Sequence, residues 1–422
     1  MSNNRTSASL SAAGPRAALW LLLLTSAILS GCGESPTPGT VNTPVRPEQT
    51  YAFDAARTDS LRTFTAEFTR QIEQNLVNAH TSVLALRTAV KALLDTPDPI
   101  TLEAARDAWL NAHDAWEGTT LDRYFANLAL PEAQALALFQ LRYQLNQWPI
   151  LPGYLDSFAG YQNSGIVNDA TVELTPLTLR QQHGEFDLSE ATLGFHVIEF
   201  LLWGTNADGA SLRPPEDYVA VTELASTQTA DGIVLLQIPA NRRRQLLALV
   251  TDLLVGDVET MQRLWIENSA GVRARVATME ADSLLSLLMT SMTDMLTEEL
   301  LVSALYPMLN GDFTESIHSP YSHSTQNAVS AQLSGLDRLL LESHNDEGVT
   351  LDSLINALSD NFTDFFYQNF DASKECLVVL FSTLEVPESS ASALQAEFDI
   401  VECINLVSNM VDHLSQVRAS LY

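Results

Sequence analysis

A helix running from Ala191 to Trp203 would have no face to give to water. Its only ionisable residues are His196 and Glu199. Leu193, Phe195, Val197, Ile198, Phe200, Leu201, Leu202 and Trp203 fill the other directions. A helix that is apolar all round has to be buried among other elements. Asp187, with Glu190 three residues on, reads as a capping pair that starts this helix. Gly194, placed inside it, would let another backbone or a ligand approach closely. His196 and Glu199, at i and i+3, face the same way. A buried carboxylate without a partner costs several kcal/mol, so something must compensate Glu199. Either a cation does so, or the two side chains satisfy each other.

The rest of the chain repeats the helical period. Leu61, Phe64, Phe68, Ile72 and Leu76 step by three and four. The pattern returns in Leu246–Trp265, Leu284–Leu301, Val329–Leu340 and Leu351–Phe370, while the one β-branched run, Ile233 to Ile238, lies beside a loop. Eighteen glycines in 422 residues agree with helix. Breaks fall at Thr96-Pro97-Asp98-Pro99, at Pro149 to Pro152, and around Arg213-Pro214-Pro215. The expected fold is all-α: two antiparallel helical bundles, residues 50–185 and 186–422, with the functional site between them.

The N-terminus reads as an address. Arg5 and Arg16 precede the apolar run Ala17–Leu24, which continues to Leu29 and is too short to span a bilayer. Leu29-Ser30-Gly31-Cys32 resembles the bacterial lipobox, which implies a signal peptide over 1–31 and lipidation of Cys32; the alternative is an uncleaved anchor with an incidental cysteine. Gly33 is not the aspartate that commonly retains such lipoproteins in the inner membrane, so the outer membrane is the expected place. Residues 32–49 read as a Pro/Thr-rich tether. No later stretch reaches the roughly 18 apolar residues that a span needs. An oxidising compartment would let Cys376 and Cys403 pair, across a turn at Val386-Pro387-Glu388, or leave them as two buried thiols. With 52 acids against 22 basic residues the net charge is -30, which repels nucleic acid and attracts cations.

Spacing alone says little about His196 and Glu199. Eight histidines among 52 acids give about one such pair by chance, and His344/Glu347 is another, set in polar surroundings. The apolar setting carries the argument, and a family resemblance adds to it. Gly194-Phe195-His196-Val197-Ile198-Glu199-Phe200-Leu201-Leu202-Trp203-Gly204 resembles the GxHxxE signature of the imelysin family. Trp109 with Trp116-Glu117 and Thr119, Leu145 to Ile150, and Glu315 to Ser322 resemble three weaker segments of the same family. The family comprises exported bacterial helical proteins, many of them lipoproteins, linked to iron uptake and also classified as peptidases. This chain departs from the pattern at His113, where the family often has arginine, at Thr120, where it often has a second glutamate, and at His323-Ser324, where it usually has Asp-Asn.

The expected metal ligands are His196 and Glu199, then Glu117, Glu315 and His318. Glu315 and His318 form an E-x-x-H step mirroring H-x-x-E, and two such pairs suit iron or zinc. Read singly, Glu117 is a solvated helix acid, and Glu315 and His318 cap the next helix. Either His323 stands in for a lost carboxylate, or this chain has lost a ligand. No H-E-x-x-H or H-x-x-E-H exists, because residue 197 is Val and residue 200 is Phe. Met289, Met292 and Met295 read as core, and Arg242-Arg243-Arg244 as a cluster paired with the excess acids. The resemblance therefore implies a lipid-anchored envelope protein that binds iron, with zinc as the second candidate, and hands it to a membrane transport partner. A metal-dependent peptidase with Glu199 as the catalytic group is one alternative, and a structural lipoprotein with a buried His–Glu pair is the other.

Overall fold

The computed structural model describes residues 53–422 except 159, 205–212, 224–233, 343–347, 357, 360, 361 and 385–389. The expected signal peptide 1–31, Cys32, the tether 32–49, the His344/Glu347 pair and the turn at Val386 to Glu388 lie outside the described residues. The structure is all-α. Among the described residues there is no strand, only an isolated bridge between Phe158 and Tyr161.

The chain begins with two helices, α1 (Ala55–Asp95) and α2 (Pro99–Glu117). Asp98 caps α2 by accepting from the Ile100 and Thr101 amides, with Pro99 at the first helical position, where its missing N–H costs nothing. Next come α3 (Thr120–Ala129), α4 (Glu132–Asn146), α5 (Pro152–Leu155), α6 (Pro176–Gln182) and the short α7 (Phe195–Trp203). Helix α8 (Pro239–Val276) is followed by α9 (Ala281–Met295), which runs directly into a π-helix (Leu296–Leu305). Then follow α10 (Tyr306–Leu309), α11 (Phe313–Ser316), α12 (Thr325–Leu341), α13 (Leu351–Asn356), α14 (Phe362–Leu384) and α15 (Ser390–Ala419).

Pairing crosses the position near 186 where two bundles were expected to meet. Helix α1 packs along both α2 and α8, α4 along α8, and α3 against α9. Residues Thr50–Tyr422 form one compact unit. Helices α14 and α15 pair with each other and are joined by a disulfide between Cys376 and Cys403. Met289, Met292 and Met295 are all in the core.

The arginine cluster serves the backbone more than the acids. Arg242 donates to the carbonyls of Ile166, Val167 and Val172, and Arg244 to those of Leu94 and Tyr218. Arg243 alone binds a carboxylate, that of buried Asp156. These donors satisfy carbonyls of irregular backbone and, at Leu94, of the last turn of α1, which has no intrahelical partner for them.

Asp122 on α3 is buried, and burial pushes its pKa up to about 6, although the Asn75 amide donates to it at 2.7 Å. An unfolded aspartate titrates near 3.9. Between about pH 4 and pH 6 the folded chain therefore binds more protons than the unfolded one, and this residue's contribution falls as pH rises. By neutral pH the penalty is on the order of 2–3 kcal/mol. Urea unfolding at pH 4 and pH 7 should show Asp122→Asn gaining stability on its parent at the higher pH and little at the lower.

Candidate metal site

Helix α7 is buried along its whole length, packed by α2, α4 and α8. It starts at Phe195, later than the Asp187/Glu190 pair suggested, because the Asp187 carboxylate is taken by the Ser189 amide and hydroxyl in a turn. Gly194 is the N-cap, at φ 96°. A Cβ there would lie 2.6 Å from the Leu145 carbonyl oxygen and 2.7 Å from that of Gln144. The close backbone approach is real, and it occurs at the helix entrance.

A buried helix needs partners for its ends. Helix α2 supplies one for the last turn, where Arg106 donates to the Leu202 carbonyl and also to that of Arg213, and it holds the first turn through Trp109 Nε1, which donates to the Phe195 carbonyl at 2.9 Å. The Tyr218 hydroxyl donates to the Leu201 carbonyl. Trp109 and Arg106 share the buried face of α2 with Leu102, Ala105, Ala112, His113, Trp116 and Glu117, spaced by threes and fours. This face brings His113 and Glu117 to α7.

His196 and Glu199 are 1% and 0% exposed. His196 Nδ1 lies 3.1 Å from Glu199 Oε2. Glu199 Oε1 accepts from the Tyr321 amide at 3.1 Å, the Ser322 amide at 2.9 Å and the Ser322 hydroxyl at 2.7 Å. The carboxylate is thus compensated by the loop before α12, without a cation being required. A carboxylate oxygen accepts, so in this pair His196 Nδ1 donates and Nε2 keeps its lone pair. Among the described residues Nε2 has no hydrogen-bond partner. Burial, opposed by Glu199, holds the His196 pKa below the ordinary value, so the ring is neutral.

Glu117 is not the solvated acid that its position on α2 suggested. It is 2% exposed. Oε1 accepts from Asn146 Nδ2 at 2.7 Å, and Oε2 from Gln332 Nε2 at 2.8 Å and Thr120 Oγ1 at 3.2 Å. His113 Nε2 lies 3.4 Å from Glu117 Oε1, ion-pair range rather than a short hydrogen bond. Burial alone would raise the Glu117 carboxyl and depress His113. Their mutual attraction outweighs it, leaving Glu117 well below the carboxylate range and His113 raised. The His113 and His196 ring centres are 5.3 Å apart, edge to face. Trp148 covers His196 at 5.0 Å between ring centres, and Tyr321 packs on Trp148 and Phe200.

His318 also comes to this place. It interacts electrostatically with Glu117, His113 and His196 and hydrogen-bonds to the backbone at Ser303 in the π-helix, a conformation that recurs at functional sites. The Glu315 side chain lies outside the described residues. His323 is exposed, at φ 54°, and so does not take the place of a lost carboxylate. Sequence reasoning missed Tyr321, Ser322, Asn146 and Gln332 as partners of the acids, and His113 stood out only as a departure from the family pattern.

The side chains around His196 suit a metal in part. Two buried imidazoles have open ring nitrogens, whereas both carboxylates face protein donors. Among the described residues no three His, Cys, Asp or Glu groups are arranged to hold an ion.

A model of the family described as imelysin matches residues 72–399. The solved structure of a Parabacteroides distasonis protein, put forward as an iron-regulated protein A precursor, is similar at 14% identity and a TM-score of 0.59. That likeness covers 86% of this chain and 96% of that one. An imelysin-like protein from Psychrobacter arcticum matches at 13% identity and a TM-score of 0.49, covering 88% of this chain and 94% of that one. No curated protein matches the chain.

Proposed function

We propose, for a chain that belongs to the imelysin family, an exported envelope protein that captures a metal ion at His196. One observation carries this reading: the buried imidazole is held through Nδ1 by a locked carboxylate, and its Nε2 has no partner among the described residues. A carboxylate behind a histidine is the usual way a ligating imidazole is oriented and made more basic. The large majority of buried side-chain polar atoms have a partner, so a lone pair left open beside a locked carboxylate favours a ligand role over a purely structural pair. Glu199 is then the residue that fixes the ring, and His318 is a further imidazole beside it; Glu117 would have to release Asn146 and Gln332 to ligate, and Glu315 is a candidate from the sequence alone. Iron is the first candidate, because a protein of this fold is put forward as iron-regulated; zinc is the second, since imidazole suits both. The excess of acids raises the local cation concentration.

Attachment would rest on Cys32, since no helix among the described residues is long and apolar enough to cross a membrane. Release of the ion to a transport partner completes the proposal. The peptidase reading ranks lower, because both Glu199 oxygens already accept from protein groups, which leaves that acid no open oxygen to act as a general base.

The test is metal analysis of protein made without a His-tag and loaded with Fe(II) or Zn(II). The parent should hold the ion in stoichiometric amount, and His196→Ala should lose it while keeping its helical circular dichroism. Parent-like retention by His196→Ala would end the reading.

A further inference from the structure

We infer that His113 is a second imidazole of this site, so that the ion held is divalent and of borderline softness, bound through two ring nitrogens. The inference rests on the reading that His196 binds a metal, and deepens it by naming the ligand set and the class of ion.

His113 is 1% exposed, and neither of its ring nitrogens makes a hydrogen bond among the described residues. Its Nε2 is drawn to Glu117 at 3.4 Å, as His196 Nδ1 is to Glu199 at 3.1 Å. Each ring therefore has a carboxylate behind one nitrogen and, among the described residues, no partner on the other. Two such dyads, one on α2 and one on α7, stand edge to face across the interface. Two imidazoles sharing a tetrahedral ion have metal–nitrogen bonds of about 2.0–2.1 Å, which places their ring centres about 5 Å apart. The observed separation is 5.3 Å.

Arginine, which the resemblance leads one to expect at 113, is always protonated and has no lone pair to give. A histidine there turns a fixed cation into a group that can ligate. The acids do not compete for the inner position. Asn146 and Gln332 hold Glu117, and the Tyr321 and Ser322 amides hold Glu199. Nitrogen donors with the oxygens withheld favour Fe(II) or Zn(II) over calcium, magnesium or the harder ferric ion.

The experiment combines X-ray absorption at the zinc edge with calorimetric titration of Zn(II), and of Fe(II) without oxygen, for the parent, His113→Gln, His113→Arg and His196→Ala. The parent spectrum should contain two imidazoles. Both His113 variants should bind at least about tenfold more weakly, with one imidazole remaining. A single imidazole in the parent overturns the inference without any variant having to fold. So does parent-like affinity in His113→Arg, which would show that only a cation is needed at 113. If His196→Ala alone loses the metal, this inference falls and the proposed function stands. If the parent binds neither ion, both fall.

Discussion

Replacing Glu199 by glutamine should leave the fold nearly as stable as the parent, within about 1–2 kcal/mol, while weakening metal binding by about 10- to 100-fold. The amide oxygen can keep the three donors from Tyr321 and Ser322. The amide nitrogen then faces His196 Nδ1, where Oε2 stood at 3.1 Å. Because that nitrogen only donates, the imidazole has to move its proton to Nε2, and the lone pair needed by the ion disappears. Nitrogen-15 chemical shifts of His196 report the tautomer directly, and titration with Zn(II) reports the affinity. Glu199→Ala should behave differently. It strands the Tyr321 and Ser322 amides, the Ser322 hydroxyl and His196 in the core, at a cost of about 3–5 kcal/mol. Binding lost in both variants with stability lost only in the second would separate orientation of the ring from support of the fold.

Gly194→Ala should be among the most damaging small substitutions in the chain, at more than about 3 kcal/mol. Two costs add. At φ 96° a side chain is strained wherever it finds space. Here it finds none, because the Leu145 and Gln144 carbonyl oxygens lie 2.6 and 2.7 Å from the added carbon. Those atoms are backbone at the end of α4 and yield only if the helix shifts. Gly256 is the control: it lies within α8, a Cβ there meets nothing within 4 Å, and Gly256→Ala should stabilise by about 1 kcal/mol. Denaturant unfolding followed by tryptophan fluorescence compares the two. Near-parental stability of Gly194→Ala would mean that α4 does not approach α7 as described.

Much of this was legible before any coordinates. Apolar residues on every side of 195–203 require burial, and the structure buries all nine. The three-and-four spacing on α1, α8 and α12 likewise locates their inner faces. What failed did so for physical reasons. The Asp187/Glu190 pair looks like a cap, but the Ser189 groups take Asp187 locally, and the helix waits for Gly194. Leu351–Phe370 reads as one periodic run, yet it divides into α13 and α14. Glu117 looks solvated because its partners, Asn146 and Gln332, lie 29 and 215 positions away. The Glu199 compensators left even less trace. Two of them are backbone amides, which every residue but proline carries, so no residue type at 321 and 322 announces them. His113 could be named from sequence only as a departure; its place beside His196 is a matter of how α2 packs on α7.

The most direct test is an anomalous difference map from crystals soaked with Zn(II), and without oxygen with Fe(II), recorded on either side of each metal's absorption edge. The account predicts a peak about 2.0–2.1 Å from His196 Nε2, with Nδ1 still bonded to Glu199. Absence of density at that nitrogen in both soaks, or an ion bound by Glu199 with His196 turned away, would contradict it.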